Sequence, residues 1–133
     1  MATQTIAKGY GGKAQFVALP SVARALAQEY TSDDFVVPYG KTLTVVINIT
    51  AGAGTPAVTP RIKGRTAAGI LYTALLGAQV TSTSAAVVTM RIGSGVAEVT
   101  NLGSGVPVPA TFFLSMTHAD TDSLTYSIDC EVS

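Results

Sequence analysis

An all-β fold, an antiparallel β-sandwich of about seven or eight strands with an extended N-terminal arm, is predicted by three features of the sequence. Runs of alternating apolar and polar residues recur along the chain, Gly-, Pro-, Ser- and Asp-rich turns separate them, and no long stretch keeps the 3.6-residue period of a helix. Residues 1–20 form the expected arm and residues 21–133 the expected sandwich domain.

The arm is rich in Gly, Ala, Thr and Gln and ends at Pro20, a composition that leaves it weakly structured when free. Over 21–29 a short helix is possible, because Val22, Ala25, Leu26 and Glu29 share a helical face behind an acceptable Ser21 cap. A strand over 23–31 competes with it. From residue 42 the signal sharpens. Leu43, Val45, Ile47 and Ile49 alternate with Thr42, Thr44, Asn48 and Thr50, as a strand with one buried face requires. Further strands are expected over 57–65, where Pro60 suggests an edge or a bulge, over 71–76, and over 86–92, where consecutive Val87 and Val88 imply a bulge or burial on both sides. Glycines and prolines break up 93–109, leaving a loop-rich crossing with one short strand over 96–99. Strands over 111–118 and 124–132 are expected to close the domain as a hairpin around 119–123. In the last strand Leu124, Tyr126, Ile128, Cys130 and Val132 keep the cleanest period of two in the sequence.

The 133 residues suit a single hydrophobic core. Apolar residues make up 47% and charged residues 12%, which excludes an intrinsically disordered chain. Eight basic side chains balance eight acidic ones, so copies repel one another little and association with themselves or a larger body is favoured. A zero net charge also argues against nucleic acid as a partner. No run approaches the roughly 20 apolar residues of a membrane span, and no apolar stretch follows Lys8 to make a secretory signal. Neither membrane binding nor export is expected, and synthesis and folding in the cytoplasm are. Cys130 is the single cysteine, so no internal disulfide forms.

No constellation points to catalysis, a metal or a cofactor. His118, Asp120 and Asp122 cluster, but Asp and Ser at a turn bond to nearby backbone amides without any ligand. A calcium-loop register starting at Asp120 fails at Leu124 and Thr125, its fifth and sixth positions. Cys130 lies on an apolar strand face with no neighbouring base in sequence, as an inert thiol does. Ser94 and Ser104 sit between glycines without the strand-to-helix setting of a nucleophile elbow. Two features remain as candidate partner contacts. Arg61, Lys63 and Arg65 fall on one face of one strand across about 13 Å, either as a solvated face that discourages edge pairing or as an ionic contact with an acidic surface. Lys8, Tyr10, Lys13 and Phe16 stud the arm, which is either a frayed terminus or a segment that orders against a neighbouring subunit.

The run Tyr39-Gly40-Lys41-Thr42-Leu43-Thr44-Val45-Val46-Ile47-Asn48-Ile49-Thr50, continuing through Gly54-Thr55-Pro56-Ala57-Val58 to Ile62-Lys63-Gly64-Arg65, resembles small β-sandwich virion structural proteins of tailed bacteriophages and prophages. Gly69-Ile70-Leu71-Tyr72 and Thr117-His118-Ala119-Asp120-Thr121-Asp122-Ser123-Leu124-Thr125-Tyr126-Ser127 share the likeness, which spans residues 35–130. The resemblance implies a capsid decoration, or cement, protein on the outer surface of the head shell. Its partners would be the major capsid protein lattice and copies of itself, as a homo-oligomer such as a trimer. It implies no catalytic residue. A tail or fibre component is the alternative within the virion. A carbohydrate-binding sandwich module is a third reading, weakened by the absence of tryptophan.

Overall fold

The computed structural model describes residues 2–40 and 42–133, with only the backbone at Tyr10. Lys41, part of the motif above, lies outside the described residues. Eleven strands are formed by the described residues: β1 (Thr3–Thr5), β2 (Ala14–Arg24), β3 (Glu29–Thr31), β4 (Asp34–Val36), β5 (Thr42–Gly52), β6 (Val58–Arg65), β7 (Leu71–Leu76), β8 (Ala86–Gly93), β9 (Gly103–Ser104), β10 (Thr111–His118) and β11 (Leu124–Val132). They make two sheets packed face to face as a β-sandwich. One runs β1-β4-β10-β6-β7, with β3 also paired to β10, and the other runs β2-β11-β5-β8-β9. Pairing is antiparallel except for two short parallel contacts, β1 with β4 and β8 with β9.

The period of two decides which side chains meet between the sheets. Leu43, Val45, Ile47 and Ile49 of β5 are at most 2% exposed, and Leu124, Tyr126, Ile128, Cys130 and Val132 of the neighbouring β11 equal that burial. Val58 and Ile62 of β6 and Phe112, Leu114 and Met116 of β10 face them from the opposite sheet. Each such aliphatic side chain contributes about 1.5–3 kcal/mol on removal from water.

The chain changes sheets at most of its connections, and one expectation fails for that reason. The segments 111–118 and 124–132 are strands as expected but do not form a hairpin. β10 is flanked by β6 on one edge and by β3 and β4 on the other, while β11 is flanked by β2 and β5. With both edges of each strand taken, residues 119–123 bridge the two sheets. The short strand expected over 96–99 is also absent. Positive φ angles at Gly95 (86°) and Asn101 (63°) turn the chain tightly there, and the pairing with β8 is made by Gly103 and Ser104.

Pro60 sits inside the sheet, between β10 and β7, and not at an edge. Its missing N–H faces the side where β7 has already ended: the Pro60 carbonyl accepts from Gly77 N, and Val58 bonds with Val80. A bulge does follow, between Ile62 and Lys63. Val87, opposite Asn48, is 65% exposed, so the Val87-Val88 pair is neither doubly buried nor bulged. Residues 21–31 are not helical. β2 continues to Arg24, a bend follows, and β3 starts at Glu29.

Candidate partner-contact surface

The N-terminal segment is extended, and it is woven into both sheets. Thr3–Thr5 pairs with β4, Ile6 N donates to Val36 O, and the Tyr39 hydroxyl donates to Ala7 O at 2.8 Å. After a turn in which Gly11 and Gly12 take positive φ, Ala14 enters β2 and pairs along β11. The division expected at residue 20 therefore falls inside a strand. Of the contacts expected on this segment, Lys8 and Lys13 are exposed and make no ion pair among the described residues. The Tyr10 side chain lies outside the described residues. Phe16 is half-buried and packs against the core at a tilt, its ring centroid 4.6 Å from Phe35 and 6.4 Å from Phe112. Its apolar ring gains from this packing, while its other side lines an open trough on the surface.

Arg61, Lys63 and Arg65 do share the outer face of β6, but the charges of Lys63 and Arg65 are answered inside the molecule. Lys63 Nζ lies 2.9 Å from Glu29 Oε2 and Arg65 Nε 2.6 Å from Asp34 Oδ2; Arg61 donates to Thr117 Oγ1 at 3.0 Å. Ser115 and Lys63 hydrogen-bond the Glu29 carboxylate and hold it below the usual carboxylate range. The cations of Lys63 and Arg65 lie 5.9 and 5.2 Å from the Phe113 ring. Phe113 points outward from β10, outside the main core, yet is only 2% exposed. Lys63 and Arg65 thus form a lid over an aromatic ring, their stems covering apolar surface and their heads paired. Edge protection is not their role, because β6 is an interior strand.

His118, Asp120 and Asp122 diverge. Asp120 Oδ1 accepts from Asp122 N at 3.1 Å, and Asp122 Oδ2 accepts from Thr55 N at 2.9 Å, so both carboxylates tie turns. His118 is 3% exposed and its Nε2 lies 2.8 Å from the Tyr126 hydroxyl. Burial and then the nearby Arg24 guanidinium push its pKa down, against a weaker upward pull from Asp120. Cys130 is buried, and loss of solvation followed by the Asp129 charge raises its thiol pKa far above the ordinary range. His118 cannot serve it as a base. The ring is engaged by Tyr126, four residues and roughly 13 Å along β11 from Cys130. An open trough of about 420 Å³ lies over Gln15, Phe16, Val17, Val46, Asp129, Cys130 and Glu131. Cys130 contributes to its floor from the buried face of β11.

Two features escape sequence reasoning. The first is Arg24, 7% exposed. β2 carries two register irregularities opposite residues 126–129 of β11, and such bulges leave carbonyls without ladder partners. The Arg24 guanidinium takes three of them: Pro20 O at 2.9 Å, Val22 O at 3.0 Å and Tyr126 O at 2.9 Å. It also lies 4.5 Å from the Tyr126 ring centroid. Pro20-Ser21 inside a strand-like run is the one sequence signal of that bulge. The second is a set of exposed apolar side chains, Val17 and Val22 on β2, Val87 on β8, and Ile70, Leu71, Tyr72 and Leu76 at β7. Sequence alternation alone cannot say which strands lie at an edge.

No family model matches the chain, and no curated protein matches it. Among solved structures the chain is similar to the crystal structure of SPBc2 prophage-derived protein YomS, with 15% sequence identity, a TM-score of 0.49, and coverage of 91% of this chain and 93% of that one.

Proposed function

We propose that the chain is a structural protein of a tailed phage virion, a capsid decoration protein that binds the outer surface of the head shell and acts by contact and not by catalysis. The sequence resemblance across residues 35–130 supports the virion assignment. The observation that carries the binding role is the combination of exposed large apolar side chains on both sheets with zero net charge. Such a surface associates through many modest contacts, and a lattice that repeats those contacts multiplies their effect. The basic strand is not part of this proposal, because Lys63 and Arg65 are paired over Phe113 and Arg61 is held by the Thr117 hydroxyl.

The test is co-sedimentation of the purified protein with undecorated head shells of the phage that encodes it. Saturable pelleting with shells, absent with unassembled capsid subunits, is expected. Protein that stays in the supernatant at shell excess rules the reading out.

A further inference from the structure

We infer that β7 is a self-association edge, on which a second copy of this chain adds its own β7 antiparallel about a two-fold axis at Tyr72. β7 ends its sheet. In its pairing with β6, Ile70 O accepts from Thr66 N and residues 71, 72 and 73 oppose 65, 64 and 63. Alternation then turns the backbone N–H and C=O groups of Leu71 and Thr73 away from β6, toward an open edge. Further along, Leu76 O is already taken by Asn101 Nδ2 at 3.0 Å. Only the N-terminal half of the edge is therefore free among the described residues.

Natural edges are blunted by charge, proline or bulges. The free half of β7 has none of these: Ile70-Leu71-Tyr72-Thr73 is uncharged, and the bulge in its pairing with β6 falls later, at Ala74. Its large side chains are open to solvent, Ile70 by 64%, Leu71 by 49% and Tyr72 by 40%, with Leu76 at 46%.

A second copy is the occupant this edge fits. An uncharged strand meets its own image without like-charge repulsion, and the cations nearest to it, Lys63 and Arg65, are already paired. The two open residues are two apart, so a two-fold axis at Tyr72 sets Leu71 opposite Thr73 of the other copy and Thr73 opposite its Leu71. All four outward-facing residues of the two strands are then hydrogen-bonded, and the two Tyr72 backbones come close as a non-hydrogen-bonded pair, each ring remaining over Gly64 of its own β6. On the free half, Ile70, Leu71 and Tyr72 expose roughly 300 Å² per copy, about 600 Å² for a pair, which is about half of the smallest standard interface. The dimer should accordingly be weak, with Kd between about 10 µM and 1 mM.

Sedimentation equilibrium on the chain alone tests this, and its result does not depend on the capsid reading. The expected outcome is a monomer–dimer equilibrium in that range, abolished in Leu71→Glu. This variant should fold, because its carboxylate lies across from Arg65. In Tyr72→Cys, mild oxidation should give a disulfide-linked dimer, whereas Val87→Cys on the other sheet should not, and buried Cys130 does not interfere. A chain that remains monomeric at about 1 mM overturns the inference. So does a folded Leu71→Glu that still dimerises, or a Tyr72→Cys variant that dimerises without cross-linking.

Discussion

Replacing Arg24 by methionine should destabilise the protein by about 2–4 kcal/mol while leaving its fold intact. A hydrogen bond from a charged donor is worth about 1.5–3 kcal/mol where the acceptor stays dry. Tyr126 O is buried, so its bond counts in full, whereas Pro20 O and Val22 O are part-buried and recover water. The guanidinium over the Tyr126 ring adds about 1 kcal/mol, and relief of the cost of burying a cation offsets part of the sum. At a urea m-value of about 1.5 kcal/mol/M, the midpoint falls by about 2 M. Arg24→Lys, whose ammonium lacks the planar fork, should recover no more than half of the loss. The chain has a single histidine, which gives a second readout by NMR. Because the Arg24 cation helps to push the His118 pKa down, removing it should move the His118 titration upward. A loss under about 0.5 kcal/mol, with His118 unmoved, would refute the idea that Arg24 closes the β2 bulge.

The His118 pKa is depressed in the folded state, so its stabilising contribution is present above the unfolded value of 6.5 and is lost as pH falls below it. Glu29, also depressed, adds a loss in the same direction below 4.5. Melting temperature should therefore drop on acidification from pH 7 to 5, and His118→Gln should flatten the upper part of that slope; a parallel slope in the variant counts against it. Reversing both Lys63 and Arg65 to glutamate should lower stability in the free chain by placing acids beside Glu29 and Asp34, less so in high salt. An unchanged urea midpoint would mean that the two ion pairs contribute nothing. Cys130 should resist a thiol-specific chromogenic reagent in the native protein and react only in step with unfolding; rapid native labelling would show that β11 opens locally.

Much of the fold is legible in the sequence where one face of a strand is buried. Thr42–Gly52 and Leu124–Val132 announce themselves by alternation, because each inward residue must be apolar and each outward one need not be. Pairing is not legible, since alternation fixes a face and not a neighbour. β11 lies between β2 and β5, each separated from it by dozens of residues, and β10 beside it in sequence belongs to the other sheet. The three-residue strands β1, β3 and β4 are too short to carry a period at all. The contact candidates divide on the same principle. Arg61, Lys63 and Arg65 share a face as their spacing requires, but Glu29 and Asp34, which pair with Lys63 and Arg65, and Phe113 beneath those two come from distant strands. Phe16 was readable only as a residue of a flexible arm, because nothing local reveals that β2 pairs with β11 and delivers it to Phe35.

The reading as a head decoration protein stands or falls on where the protein sits. Electron cryo-microscopy of undecorated shells incubated with the purified chain should reveal added density of sandwich size at regular positions on the outer capsid surface. Bare shells, or density confined to tails, would show that the protein belongs elsewhere.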